Sequence, residues 1–229
     1  MDYVDLAESF VAAHFPNAAI AVVAGSTARG TRTATSDIDL LLVGDDLFSD
    51  GRTSIAATYE YGGEAFEVFG YTHEAFGEWA QGGIAQHRPV IVEMLVDGVE
   101  VRGRTALADL RQTWRRALEA GPTVTAHELE MRRYVITDLL DDLSDSTDQL
   151  EQRVIASTLF DRIAELILLA NGHWIGTGKY LPRRLRELSS EIADQLSAPL
   201  LSGDLPAFSR EAEFWLERAG GRIHTGFVR

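Results

Sequence analysis

Residues 25–42 read GSTARGTRTATSDIDLLL. An apolar strand over 18–24 runs into the Gly25-Ser26 turn, and a second apolar strand opens on Asp37 and Asp39. Side chains alternate across a strand, so these two carboxylates project from one face, about 6.6 Å apart along the backbone. Ile38, Leu40 and Leu42 point the other way and anchor the strand in a core. Carboxylates held at this spacing on a rigid support suit divalent cations, and paired metals in phosphate chemistry sit about 3.5–4 Å apart.

The glycine has its own part. Gly25 permits a backbone turn that other residues resist, and the amides over 25–29 can then form a nest for an anionic phosphate tail. A helix starting there adds its positive end to the same anion. No GxxxxGK[ST] loop occurs, and GxGxxG follows no strand, so the two commonest nucleotide-binding loops are excluded.

A strand, a Gly-Ser pair, a spacer and Asp-hydrophobic-Asp together resemble the nucleotidyltransferase superfamily of DNA polymerase beta. The resemblance implies an α+β fold, in which an N-terminal nucleotidyltransferase mixed sheet flanked by helices is followed by a C-terminal helical bundle. It also implies two magnesium ions held by three carboxylates, Asp37, Asp39 and a third from a later strand. A nucleoside triphosphate, with ATP the favoured donor, then rests on Gly25, Ser26, Arg29 and Ser36.

The third acid is sought in a hairpin. Strands over 58–61 and 65–72 flank Gly62-Gly63, a pair that accepts the positive φ of tight turns. Glu67 lies mid-strand, on the face opposite Phe66 and Val68, and an acid inside so apolar a segment is costly unless paired or bound to a cation. Glu67 is therefore the expected third ligand, or the base that takes a proton from an attacking hydroxyl. Glu60 and Glu64, near the turn, read as solvated; Glu93, in the apolar run PVIVEMLVDG taken as a strand over 90–101, is a second base candidate.

Near residue 105 the composition shifts from strand-like segments to helical ones, which sets domains of 1–104 and 105–229. Helices are expected over 4–14 and 73–81 in the first. In the second, Thr125 with Glu128 forms a capping box, and Ser146 with Gln149 repeats it before a helix over 147–170. Further helices follow Pro182 and span 206–219. The segment GKYLPRR at 178–184 is a basic cluster, and small-molecule members such as kanamycin nucleotidyltransferase carry similar segments. The resemblance thus makes Lys179 a phosphate contact from the helical half, with the acceptor held between the halves.

The chain has 229 residues, 45% of them hydrophobic, with 21 basic against 35 acidic side chains for a net charge of -14. A protein gripping a nucleic-acid backbone needs Lys and Arg to neutralise it, so a polymer primer is excluded in favour of a small acceptor. Acidity attracts cationic molecules, and an aminoglycoside is the leading acceptor, which would make the protein an antibiotic-resistance enzyme; a lincosamide or another metabolite is the alternative. With no cysteine, disulfides and thiolate zinc sites are excluded. Asp2, Asp5 and Glu8 stand where a signal peptide would be basic and then apolar, and the apolar stretch over 163–170 is interrupted by charges, short of the roughly 20 residues a bilayer span requires. A cytoplasmic protein without membrane contact is expected; its oligomeric state is not legible. Two further readings of the same residues are a transferase that modifies a protein, as minimal antitoxins do, and a nucleotide-binding sensor without turnover.

Overall fold

A computed structural model describes residues 2–224. The chain divides into two compact units, residues 1–120 and 121–229. In the first, the order is α1 (Tyr3–His14), β1 (Ile20–Val23), α2 (Gly25–Ala28), β2 (Ile38–Val43), β3 (Ser54–Tyr61), β4 (Glu64–Tyr71), α3 (His73–Ala85), α4 (Val90–Asp97), β5 (Val99–Arg102) and α5 (Arg104–Glu119). The sheet runs β3-β4-β2-β1-β5; β2 and β4 are parallel and every other pair is antiparallel. The architecture is the expected α+β one, a mixed sheet flanked by helices and followed by further helices.

Continuous apolar runs such as IAVV in β1 and LLLV in β2 suit strands covered on both faces. On one face Ile38, Leu40, Phe66 and Val68 pack against Ala7, Phe10 and Val11 of α1, with the Phe10 and Phe66 rings stacked 4.4 Å apart. On the other face Val22, Leu41, Val43 and Tyr71 meet Phe76 of α3, Leu95 of α4 and Leu107 of α5. Each fully buried ring or branched side chain here contributes about 1.5–3 kcal/mol of apolar transfer. The hairpin is longer than expected at its first strand and turns on Gly62 and Gly63, both at positive φ.

Two expectations fail in this unit. Residues 90–97, read as a strand, form α4, whose buried residues Val92, Leu95 and Val96 recur at helical spacing. Pro89 precedes the first turn, where a missing N–H costs nothing, and a Cβ on Gly98 would lie 2.5 Å from Met94 O and 2.8 Å from Val23 O, so only glycine lets the chain pass from α4 into β5. The boundary also moves. Helix α5 buries Leu107 and packs Leu110, Trp114 and Leu118 on the sheet's helical cover, so the division falls after residue 120 rather than after 104.

The second unit comprises α6 (Ala126–Asp145), α7 (Gln149–Ala170), α8 (Tyr180–Leu188), α9 (Ser190–Ser202) and α10 (Leu205–Arg218). Thr125 caps α6 as expected, accepting from the Glu128 amide at 3.1 Å. At α7 the cap is Asp148, which accepts from the amides of Leu150 and Glu151 at 2.9 and 3.0 Å, while the Ser146 hydroxyl donates to the Glu151 carboxylate. Helix α8 starts ahead of Pro182, and α9, unanticipated in the sequence, carries Pro199 within its span. The core is mostly aliphatic, with Leu159, Ile163, Leu166, Leu185 and Leu196 buried alongside Phe208. Among the described residues, no helix is long and apolar enough to cross a membrane.

Candidate active site

Asp39 and Glu67 are register partners on the parallel strands β2 and β4, which places their backbones about 4.8 Å apart. The row continues on both sides. The Ala24 amide donates to Asp39 O at 2.8 Å, and Thr58 of β3 stands opposite Glu67. The helical cover stops at this row: Asp39 and Glu67 are half-buried and Thr58 is exposed. Asp37, exposed, stands one residue ahead of β2, its carbonyl accepting a bond from the Thr27 hydroxyl at 3.4 Å.

Electrostatics ties the three acids together. The Glu67 carboxyl is pushed above its usual range, first by burial, then by the charge of Asp39, then by that of Asp37. Like charges and desolvation both oppose ionisation. Among the described residues no three His, Asp or Glu side chains are drawn together into a ready-made metal-holding group. The acids therefore share one field without closing into a ligand set. Three carboxylates of like sign repel, so closer approach costs free energy unless a cation is shared.

Gly25 has φ +61°, and a Cβ there would overlap Oδ2 of Asp39 and lie 2.5 Å from its Cγ. The turn and the carboxylate are thus packed together in a way only glycine permits. Helix α2 is a single turn; its first hydrogen-bonded amide is that of Ala28, to Ala24 O at 3.2 Å, so the amides before it have no intrahelical acceptor. Ser26 is half-buried and Arg29 exposed beside this turn.

Other expected contacts have different occupations. The Ser36 hydroxyl accepts from the Thr33 amide at 2.9 Å and lies 3.0 Å from the Thr33 hydroxyl, closing the loop on itself. Arg32 donates to Ser36 O at 2.8 Å, pairs with Glu64 at 2.5 Å and lies 4.3 Å over the Tyr3 ring. Glu64, read as solvated, is the loop's anchor, and Arg32 is its clamp. Glu93 falls on the first turn of α4, half-buried, and so is a helix residue rather than a strand charge. Lys179 is exposed in the helical unit, at the start of α8, its Nζ 5.6 Å from the centre of the Tyr180 ring.

Sequence reasoning passed over one feature beside these acids. A groove of about 580 Å³ runs between β4, α3 and the start of α4, lined by Phe69, Tyr71, Trp79, Gly82, Val90 and Ile91. Phe69 is two residues beyond Glu67 and so shares its face of the sheet. The available signal was EWAQGG at 78–83, an aromatic followed by two glycines within a helix, which local pattern gives no reason to place.

Residues 5–101 match the sequence model of a family described as nucleotidyltransferase domain. No curated protein matches the chain. Among solved structures it is similar to a nucleotidyltransferase-like protein from Exiguobacterium sibiricum 255-15, with a TM-score of 0.51 and 14% identity over 94% of this chain and 73% of that one. At that identity the likeness concerns the fold. The matched span falls within the first unit and contains the carboxylate row beside the glycine turn.

Proposed function

We propose that the protein transfers a nucleoside monophosphate, from ATP as the favoured donor, to a hydroxyl of a small acceptor. The observation that carries this reading is Glu67 in register with Asp39, its carboxyl raised by burial and by the two aspartates, beside a turn that only glycine can form. These residues fit magnesium: the donors are hard carboxylate oxygens, and a half-buried acid between like charges is relieved by a shared cation. Asp37 and Asp39 would hold the ions, with Glu67 as third ligand or base. When bound there, magnesium neutralises the phosphate oxygens and steadies the leaving pyrophosphate.

The residues perform the rest. The amides and hydroxyl at 25–27 take phosphate oxygens, with Arg29 as a further cationic contact. The acceptor oxygen forms a bond to the α-phosphorus, the bond from that phosphorus to the bridging oxygen of the β-phosphate breaks, and pyrophosphate leaves. The hydroxyl proton passes to Glu67, whose raised pKa suits a group that must accept one. Positioning supplies much of the rate. A net charge of -14 favours a neutral or cationic acceptor, an aminoglycoside being one candidate, and the lack of cysteine fits a cytoplasmic site of action.

The test is transfer of label from each nucleoside triphosphate, α-labelled, to a panel of hydroxylated small molecules with magnesium present. Wild type should yield a nucleotidylated product, and Asp37→Asn and Asp39→Asn should each lower the rate by at least about a hundredfold, the scale of losing a main electrostatic contact to the reacting phosphate. Full activity in either variant removes the site assignment. Label on the protein itself points to a protein acceptor, and binding without turnover to a sensor.

A further inference from the structure

We propose that the groove beside Glu67 seats the acceptor and selects molecules whose reactive hydroxyl adjoins a planar or apolar ring; this rests on the transferase reading above. Its volume, about 580 Å³, lies in the range of small-molecule sites. Its position supplies the connection. Phe69 and Tyr71 follow Glu67 on the same face of β4, so a molecule lying along them reaches back to the carboxyl that takes the hydroxyl proton, about 6.6 Å of strand away from Phe69.

The lining supplies the selectivity. Phe69, Tyr71, Val90 and Ile91 offer apolar surface, and Trp79 is 59% exposed, a large apolar side chain left open at the mouth. An indole in that position presents a flat face on which a ring can stack. Glu78 and Arg88, of opposite sign, both border the groove, so it sets no net charge for its occupant. The groove thus selects for the body of the acceptor and leaves long-range attraction to the acidic surface.

Gly82 is an independent sign. It lies inside α3, where glycine is a poor helix former, and a Cβ there would meet no atom within 4 Å. Packing does not require the glycine. What its missing side chain provides is open space at the groove wall.

The test uses the full chain and two variants, Gly82→Leu and Trp79→Ala, with 4-nitrophenyl β-D-glucopyranoside as the aryl probe and methyl β-D-glucopyranoside as its counterpart without the aryl ring. The aryl probe should quench tryptophan emission and accept label from the triphosphate, and the methyl probe should do neither at equal concentration. Gly82→Leu should raise the aryl acceptor's KM by about 10- to 100-fold, the scale set by a few apolar contacts, with nucleotide KM within about twofold and no lower melting temperature; Trp79→Ala should weaken the quench. If wild type transfers label and both variants keep the acceptor KM, the groove is not the seat, while the transferase reading stands. If the aryl probe neither quenches nor outperforms the methyl one, the proposed selectivity is wrong whatever the transfer assay gives. If the probe binds and Gly82→Leu abolishes binding but no label moves, the transferase reading fails and the proposal with it.

Discussion

At residue scale the site is a conflict between charge and burial, and Glu67 registers it. A carboxyl whose pKa rises on folding is better tolerated protonated, so its favourable contribution is full below the usual value of 4.5 and is lost as pH rises through the folded-state value. In metal-free protein at neutral pH the ionised form is a burden. Glu67→Gln should therefore melt higher than wild type at pH 7 in chelator, and the gap should close as pH falls toward the usual carboxyl range, while transfer is lost. Equal or lower melting of the variant at pH 7 would mean the acids do not load one another. Gly25 makes the complementary case: Gly25→Ala puts a methyl into the Asp39 carboxylate at φ +61°. Left-handed backbone alone costs an alanine about 1–2 kcal/mol. Magnesium should raise the melting temperature of wild type by mass action, and Gly25→Ala should abolish that rise even where the variant still folds, because the side chain it displaces is a proposed ligand.

Elements explain why some of this was legible and some was not. Alternation in DIDLLL and in EAFEVFGY places Asp39 and Glu67 each on one face of its strand, a local matter that sequence states directly. That the two strands are adjacent, parallel and in register is a long-range fact carried by the sheet order. The run VIVEMLVD has no such safeguard: its six apolar residues, four of them β-branched, fit either period, and Leu95 and Val96 meeting the sheet's helical cover decide for helix. The loop from α2 to β2 hid its clamp for a similar reason, since the partner of Arg32, Glu64, lies 32 residues away in sequence. With Arg32 only 16% exposed, Arg32→Ala leaves Glu64 and the Ser36 carbonyl short of a donor and should cost about 1–3 kcal/mol in denaturant unfolding. Arg32→Lys should recover little, because an ammonium neither stacks on Tyr3 nor serves both acceptors as a guanidinium does. Full rescue by lysine would return Arg32 to the role of a simple positive charge.

For the whole molecule the decisive question is where the first unit ends. Composition puts the change at 104, because α5 is rich in charge and reads as the opening of the helical half, yet burial puts it at 120. The difference is material. Leu107 of α5 is 1% exposed, Trp114 meets the Phe76 ring edge-on at 5.9 Å, and the Arg111 guanidinium donates to Leu95 O at 2.7 Å and Gly98 O at 2.6 Å, tying the end of α4 and the turn after it. Both faces of the sheet draw their cover from within residues 1–120. A fragment of residues 1–120 should consequently unfold cooperatively by circular dichroism and retain a magnesium-dependent rise in melting temperature, since every carboxylate of the row is present. A fragment of residues 1–104 exposes Phe76, Leu95 and Val96 where α5 had packed, and losing one fully buried leucine already costs about 2–5 kcal/mol, a large part of the 5–15 kcal/mol by which a domain is stable. It should show no cooperative transition. Equal melting of the two fragments would make α5 an appendage and restore the earlier boundary.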